Sequence, residues 1–131
     1  MKNLPKILPI FPLSNFIIFP KTTVPLNIFE PRYLDMINDS MKSNKLIGMV
    51  QPKKIIDDLT PPILHNIGCL GKITSFRETE DGRLLIELKG LIRFKIIKEI
   101  KTSKKYREYE VTFENFNHDL DEKKKNLSFL T

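Results

Sequence analysis

Residues 84–100 read LLIELKGLIRFKIIKEI and carry the strongest structural pattern in the chain. Apolar side chains occupy the even positions from Leu84 to Ile96, apart from Gly90, whereas charged residues such as Glu87 and Arg93 stand at odd positions. A period of two is typical of a strand with one face toward a core and the other toward solvent. The run exceeds the usual strand length of about 3–10 residues. We therefore predict one long strand, bent or bulged at Gly90, where it would turn a barrel corner.

The segments around this run predict further strands. The segment Glu80-Asp81-Gly82-Arg83 precedes it, and the Asp-Gly pair tolerates the positive φ angles of a type I′ hairpin turn. The turn would join the long strand to a strand at 67–77. Residues 53–66 contain Asp-Asp and Pro-Pro pairs and predict a loop. Shorter apolar runs predict four more strands, at 8–13, 24–29, 46–50 and 109–113, and a further short apolar run at 15–19 stops at Pro20.

After residue 30 the apolar period changes. Pro31 stands where a helix takes its first residue, because the missing N–H of proline is not needed there. Apolar side chains then recur at three- and four-residue spacing on one face: Tyr33, Met36, Ile37 and Met41. One helix is therefore predicted at 31–43. The whole pattern indicates a mainly β (α+β) fold, a partly open barrel of about six strands with one helix near its start.

The composition fits one soluble globular domain. The 131 residues are 40% hydrophobic and 29% charged, and they include no alanine, the best helix former. The single cysteine, Cys69, forms no intrachain disulfide, which favours a reducing, cytoplasmic location. No apolar stretch reaches the ~18 residues of a membrane span. Prolines interrupt the N-terminal apolar run, which is interpreted as mature protein and not as a signal peptide.

The residues that could carry chemistry are few. His65, His118 and Cys69 are the only imidazole and thiol groups, and a zinc site needs three or four ligands. Cys69 lies among glycines and apolar residues, where a buried structural thiol is the simpler interpretation. The segment Gly68-Cys69-Leu70-Gly71-Lys72 lacks the spacer and the closing Ser or Thr of a phosphate-binding loop. We therefore expect no catalytic residue, no metal and no cofactor.

Basic residues are the one indication of nucleic acid. The net charge is +6, and six lysines and arginines fall between Lys95 and Arg107. Acidic residues interleave with them, at Glu99, Glu108 and Glu110, so a solvated strand face is the simpler interpretation. RNA binding stays open as the alternative function, because a basic domain is where such a function is sought.

The segment Ile28-Phe29-Glu30-Pro31-Arg32-Tyr33 runs from a predicted strand directly into a proline-started helix. Together with further blocks in the same order, it resembles the Lon N-terminal domain family, the substrate-binding domain of Lon-type ATP-dependent proteases and of stand-alone relatives. The Phe-Glu-Pro-Arg-Tyr version of the turn is more similar to the stand-alone members. The other blocks are LPIFPL at 8–13, FIIFP at 16–20, IGMVQP at 47–52, IGCLGKI at 67–73 and GLIRF at 90–94.

This resemblance implies a PUA-like pseudo-barrel over residues 1–117 and the start of a truncated C-terminal helical part over 118–131. The implied function is recognition of unfolded or exposed polypeptide segments, without catalysis by the chain itself. A protease or chaperone would be a further partner, whereas a nucleic acid or membrane partner is not implied. RNA binding remains the alternative, because PUA-like barrels elsewhere bind RNA.

Exposed aromatic side chains beside charged groups would hold an apolar peptide segment. An open strand edge would be a second way to take up a peptide. The competing interpretation is that the phenylalanines belong to the core and that the charged groups only fix the strand-to-helix turn. The candidate binding residues are Phe11, Phe16, Phe19, Phe29, Glu30, Arg32, Tyr33 and Arg93.

Overall fold

The computed structural model describes residues 4–13, 18–54 and 63–120. Within these ranges the chain is mostly strand, with one α-helix and one short 3-10 helix. In chain order the elements are β1 (Ile7–Pro12), β2 (Thr23–Ile28), α1 (Pro31–Met41), β3 (Leu46–Val50), β4 (Pro52–Lys54), β5 (Ile63–Leu64), β6 (Ile67–Glu78), β7 (Leu84–Ile100), β8 (Glu108–Thr112) and the 3-10 helix (Asn117–Leu120).

Six of these strands form one sheet in the order β2-β7-β6-β3-β1-β8. β7 pairs with β6 along one edge. Along its other edge, the first half of β7 pairs with β2 and the second half pairs with β8. The pairing of β7 with β8 closes the sheet partly into a ring. β1 and β3 are parallel, and the other pairs are antiparallel. β4 and β5 form a separate two-stranded ribbon. The predicted mainly β pseudo-barrel of about six strands with one helix is confirmed.

The long strand has the predicted bounds, and it is bulged at Gly90. Gly90 lies opposite Gly71, but Ile92 lies opposite Leu70, so Leu91 is the extra residue of a bulge. One extra residue reverses the alternation of side chains between the two faces of a strand. The prediction that all even positions share one face is wrong for this reason, since residues before and after the bulge enter different cores.

Two apolar cores lie on opposite faces of β3, whose five residues are all buried. The barrel core lies inside the ring and contains Leu8, Ile10, Leu46, Val50, Leu70, Ile92, Phe94, Tyr109, Val111 and Phe113. The helix core lies between the other face of the sheet and α1. It contains Phe11, Ile18, Leu26, Ile28, Met36, Ile37, Ile47, Met49, Cys69, Ile73, Leu84, Ile86, Leu88 and Tyr106. The bulge lets β7 contribute to both.

The helix covers the sheet with the residues predicted for its inner face. It begins at Pro31, as predicted, and ends at Met41, two residues before the predicted end. Met36 and Ile37 are fully buried. The Tyr106 hydroxyl donates to the Asp39 carboxylate at 2.7 Å and ties α1 to the connection between β7 and β8. Burial and this nearby carboxylate raise the pKa of Tyr106.

The hairpin before β7 forms, but its turn differs from the predicted type. A type I′ turn needs positive φ at both central residues. Gly82 has a φ of 85°, whereas Asp81 is not among the residues with positive φ. The Thr79 N–H donates to the Arg83 carbonyl oxygen at 2.9 Å. The strands are therefore joined by a longer loop, which needs only one residue in the left-handed region.

The segment predicted as a loop at 53–66 also requires correction. Part of it forms β4 and β5, which pair through Pro52 opposite Leu64. Strands of three and two residues are too short to show a period in the sequence, which is why they were not predicted.

The helix predicted from residue 118 lies mostly outside the described residues. The 3-10 helix Asn117–Leu120 occupies its beginning, and residues 121–131 are not described. The proposed boundary between a barrel at 1–117 and a helical part at 118–131 stays a prediction.

Replacing Gly90 by valine is expected to lower the free energy of unfolding by about 1–3 kcal/mol, because crowding a close contact forces the backbone to shift. A Cβ at Gly90 would lie 2.2 Å from the carbonyl oxygen of Phe19. Lys89→Val, at the exposed neighbouring position, is the control and should change stability by less than about 0.5 kcal/mol. Denaturant unfolding measures both. Equal midpoints for Gly90→Val and the wild type would contradict this role of the glycine.

Candidate functional site

A groove of about 170 Å³ lies on the side of the sheet that faces the helix core. Strands β3, β6 and β7 contribute one part of its lining, and the segments after β1 and before β2 contribute the other. The lining residues are Leu13, Ile18, Phe19, Met49, Val50, Gln51, Ile67, Gly68, Cys69 and Arg93. Phe19 is 53% exposed and Ile67 is 43% exposed. The groove therefore presents apolar surface to solvent.

Phe19 is held by a turn that is anchored on the β7 bulge. The Thr22 hydroxyl donates to the Phe19 carbonyl oxygen at 2.7 Å and accepts from the Phe19 N–H at 3.1 Å. Lys21 has a φ of 68°, and its N–H donates to the Gly90 carbonyl oxygen at 2.7 Å. The Gly90 N–H donates to the Thr22 carbonyl oxygen at 2.8 Å. These bonds fix the backbone that carries the exposed Phe19 ring.

Arg93 is the only charged side chain among the described residues that line the groove. It lies opposite Cys69, on the groove side of the sheet, because the bulge has reversed the alternation. Its guanidinium donates to both oxygens of the Asp119 carboxylate, from Nε to Oδ2 and from Nη2 to Oδ1, each at 2.9 Å. The Arg93 backbone N–H also donates to Oδ2, at 3.0 Å. The Phe116 ring lies 4.9 Å from the guanidinium.

Asp119 stays ionised although its residue is only 6% exposed. Burial raises the pKa of this carboxyl, but the hydrogen bonds and the charge of Arg93 lower it by more, so the pKa lies below its ordinary value. The hydrogen bond to Asp119 also raises the pKa of Arg93. His118 Nε2 lies 3.0 Å from Arg93 Nη2. The ion pair thus leaves little net charge beside the groove.

The structure brings together two of the predicted binding residues, Phe19 and Arg93, at this groove. Phe11 belongs to the helix core, where its ring stacks on that of Tyr33 with centroids 4.5 Å apart. Phe16 lies outside the described residues.

The other predicted residues lie around the start of α1 and are not among those lining the groove. Phe29 is 64% exposed, and Glu30 and Arg32 are exposed as well. The Glu30 carbonyl oxygen accepts from the N–H of Tyr33 at 3.0 Å and of Leu34 at 2.9 Å, which starts the helix. Burial of the Tyr33 ring raises its pKa. Glu30 caps the helix without a side-chain hydrogen bond, and a binding role of Phe29, Glu30, Arg32 and Tyr33 stays a prediction.

Sequence reasoning missed Ile67 and Asp119. Ile67 is the first residue of a predicted strand. Its side chain stays exposed because no other part of the fold covers it fully, and the sequence does not show this. Asp119 is separated from Arg93 by 26 residues, and nothing in its neighbourhood marks it as a buried carboxylate. The pairing of Asp119 with Arg93 therefore depends on the tertiary fold.

Several basic residues at the end of β7 and after it lie near carboxylates. Lys98 Nζ is 3.9 Å from Glu110, Lys104 Nζ is 3.6 Å from Glu108, and Arg107 Nη2 is 3.3 Å from Glu99. Lys105 Nζ is 3.9 Å from Asp35 on α1. Exposed pairs of this kind stabilise little, but they reduce the local positive charge available to a phosphate backbone.

The groups considered for chemistry differ in their exposure. Cys69 is 3% exposed, and its thiol lies 3.6 Å from the Leu70 carbonyl oxygen, whereas His65 is exposed. Within the described ranges, no three His, Cys, Asp or Glu side chains assemble as a metal site would require. The described helices also include none that is long and apolar enough to cross a membrane.

Comparison with known proteins supplies the family. The sequence model of the ATP-dependent protease La (LON) substrate-binding domain matches residues 7–130. The chain belongs to this family. The Lon protease of Dictyoglomus thermophilum is 31% identical over 101 residues, which are 77% of this chain and 13% of that protein. The Lon protease of Desulfosudis oleivorans is 33% identical over 102 residues, 76% of this chain and 12% of that protein.

Solved structures agree with the family assignment. The Lon N-terminal domain protein from Xanthomonas campestris superposes with a TM-score of 0.64 at 29% identity, over 82% of this chain and 59% of that one. The N-terminal domain of Mycobacterium avium complex Lon protease gives a TM-score of 0.61 at 18% identity, covers 82% of this chain and 54% of that one, and supports the fold alone. The family member described here spans about an eighth of the length of its curated Lon protease relatives.

Asp119→Asn is expected to lower the free energy of unfolding by about 1–3 kcal/mol at pH 7, because it removes the charged acceptor of Arg93. The folded-state pKa of Asp119 is lowered, so its contribution is present above the unfolded value of about 3.9 and is lost as the pH falls through the folded value. The difference in the free energy of unfolding between Asp119→Asn and the wild type should therefore become smaller below about pH 4.

Denaturant unfolding at several pH values measures this difference. Glu114→Gln, at an exposed position of the same region, is the control. A stability difference that stays constant down to about pH 2 would show that Asp119 acts through packing and not through its charge.

Proposed function

We propose that this domain is a non-catalytic substrate-recognition module that binds unfolded or exposed polypeptide segments in the groove between Phe19, Ile67 and Arg93. The observation that carries the proposal is the pair of large apolar side chains, Phe19 and Ile67, that remain about half exposed at a groove. Exposed apolar surface beside a polar rim is typical of a protein-binding site. Membership of the Lon substrate-binding domain family supports the same function.

The size of the groove suggests what a bound segment inserts. Its volume of about 170 Å³ is close to that of an engineered cavity, about 150 Å³, that accepts one benzene ring. One Phe, Leu or Ile side chain of an extended segment would therefore fill it. Burial of a large apolar side chain contributes about 1.5–3 kcal/mol, so one such contact gives weak binding, and several segments along a chain would be needed for tight binding.

Arg93 supplies the polar element of this site. A guanidinium presents five N–H donors in a fixed plane, and Asp119 occupies part of that set. The remaining donors could bind backbone carbonyl oxygens of an extended peptide. A protease or chaperone that acts on the captured segment is part of the proposal, because the domain itself is proposed to bind only.

Phe19→Ser and Ile67→Ser are each expected to weaken binding of an unfolded model protein by roughly tenfold, since each removes exposed apolar area from the groove. Two matched controls are available among exposed residues outside the groove. Phe29→Ser removes a ring that is 64% exposed, and Ile97→Ser removes an isoleucine that is 52% exposed. Fluorescence anisotropy with a labelled, permanently unfolded protein gives the dissociation constants.

The controls decide whether binding is local to the groove. Loss of affinity with Phe29→Ser equal to that with Phe19→Ser would move the binding surface to the strand-to-helix turn. The same proteins should be titrated with a structured RNA at low and high salt. Saturable RNA binding that resists salt, without affinity for the unfolded protein, would favour the RNA-binding alternative over the one proposed here.

A further inference from the structure

The charge balance of the groove depends on a residue that does not line it. Arg93 lines the groove, and its side chain is 40% exposed, whereas the side chain of Asp119 is only 7% exposed. A bound peptide would therefore meet the guanidinium, while the carboxylate acts on the guanidinium from its buried side.

We propose that Asp119 determines the specificity of the groove: by neutralising Arg93, it makes the groove accept uncharged apolar segments and removes a preference for acidic ones. This inference rests on the peptide-binding function proposed above and specifies its substrate class. Asp119 is a positioning residue, since it acts on the peptide through Arg93.

The geometry of the pair carries the argument. A guanidinium without a partner binds a carboxylate through two parallel hydrogen bonds. In this protein that bidentate edge is already taken by Asp119, through Nε and Nη2 at 2.9 Å each. The same Nη2 also lies within hydrogen-bond distance of His118 Nε2, at 3.0 Å. An acidic peptide side chain would have to compete with a buried, fixed carboxylate and would be repelled by it.

The neighbourhood also holds Arg93 in place for this role. The Phe116 ring lies against the guanidinium. The Arg93 backbone N–H donates a further hydrogen bond to the Asp119 carboxylate. The guanidinium therefore cannot swing toward an incoming anion without breaking its two hydrogen bonds to the Asp119 carboxylate. Neutral acceptors such as peptide carbonyl oxygens can bind the remaining N–H groups of Arg93 without displacing Asp119.

The first test uses the wild-type protein and three short unstructured peptides. They are identical except for the residue beside a central phenylalanine, which is Glu, Gln or Lys. If Asp119 neutralises Arg93, the three dissociation constants should agree within about twofold. A steep order with the Glu peptide tightest would overturn the proposal, because it would show an uncompensated arginine.

Two single variants should shift the preference in opposite directions. Asp119→Asn is expected to bind the Glu peptide roughly threefold or more tightly than the Gln peptide, and this preference should shrink at high salt. Arg93→Gln leaves the carboxylate uncompensated and should disfavour the Glu peptide and favour the Lys peptide. The double variant Arg93→Gln/Asp119→Asn should lose both preferences. A purely structural role of Asp119 would lower all affinities together and would not change their order.

Asp81→Asn is the matched control, because it makes the same charge change at the exposed hairpin before β7. It should behave as the wild type. Thermal unfolding of each variant shows whether it folds. If Asp119→Asn does not fold, the peptide series with the wild type and with Arg93→Gln still tests the specificity role of Asp119.

The two proposals fail differently. If the wild type binds the Gln peptide but Asp119→Asn shows no change in order, the specificity role is overturned and the function stands. If the wild type binds none of the peptides but Asp119→Asn captures the Glu peptide, the function is overturned and the masking of Arg93 stands. If neither protein binds any of the peptides, both are overturned.

Discussion

The two hydrogen bonds between Gly90 and the turn at 19–22 are the contact on which the groove depends. They join the middle of the longest strand to the segment that carries Phe19, and they require a residue without a side chain, because the Phe19 carbonyl oxygen occupies the space of a Cβ. The bulge at the same point moves β7 from one core to the other. One backbone position thus connects the barrel, the helix core and the proposed binding surface.

The bulge also places the charge. In a regular strand Arg93 would share a face with Glu87 and Lys89, away from the groove. The extra residue at Leu91 turns Arg93 to the side of Cys69, where the ring closure brings Asp119 beside it. A charged group at an apolar groove is costly unless it is paired, and the buried carboxylate pairs it without closing the groove. Shape and charge of the site therefore have a common origin in one irregularity of the strand.

The family and the geometry contribute different parts of the functional conclusion. Family membership identifies the chain as a Lon-type substrate-binding domain, and the chain corresponds to about an eighth of the Lon proteases that it matches. The groove indicates where such a domain would contact a segment. Ion pairs among the residues around Lys98 and Arg107 reduce the basic surface that suggested RNA. Phe19 and Ile67 are large apolar side chains that stay exposed at the groove.

The sequence by itself determined the local structure of most of this protein. The period of two over 84–100 specified a long strand, Pro31 and the spacing after it specified the helix, and Gly90 marked the bulge, because each depends on residues close together in the chain. The blocks around Ile28–Tyr33 also sufficed to suggest the family. What the sequence could not decide was which apolar residues stay exposed. Phe11 and Phe19 have the same side chain, but only one is covered.

Tertiary structure decided the site. Burial of Phe11 depends on Tyr33, which α1 brings over it, and exposure of Phe19 depends on the turn fixed at Gly90. The pairing of Arg93 with Asp119 spans 26 residues and follows from the return of the chain past β8 to β7. Such contacts depend on how strands close around a core. No local pattern encodes them, because the residues that meet are distant in the chain and each is ordinary in its own segment.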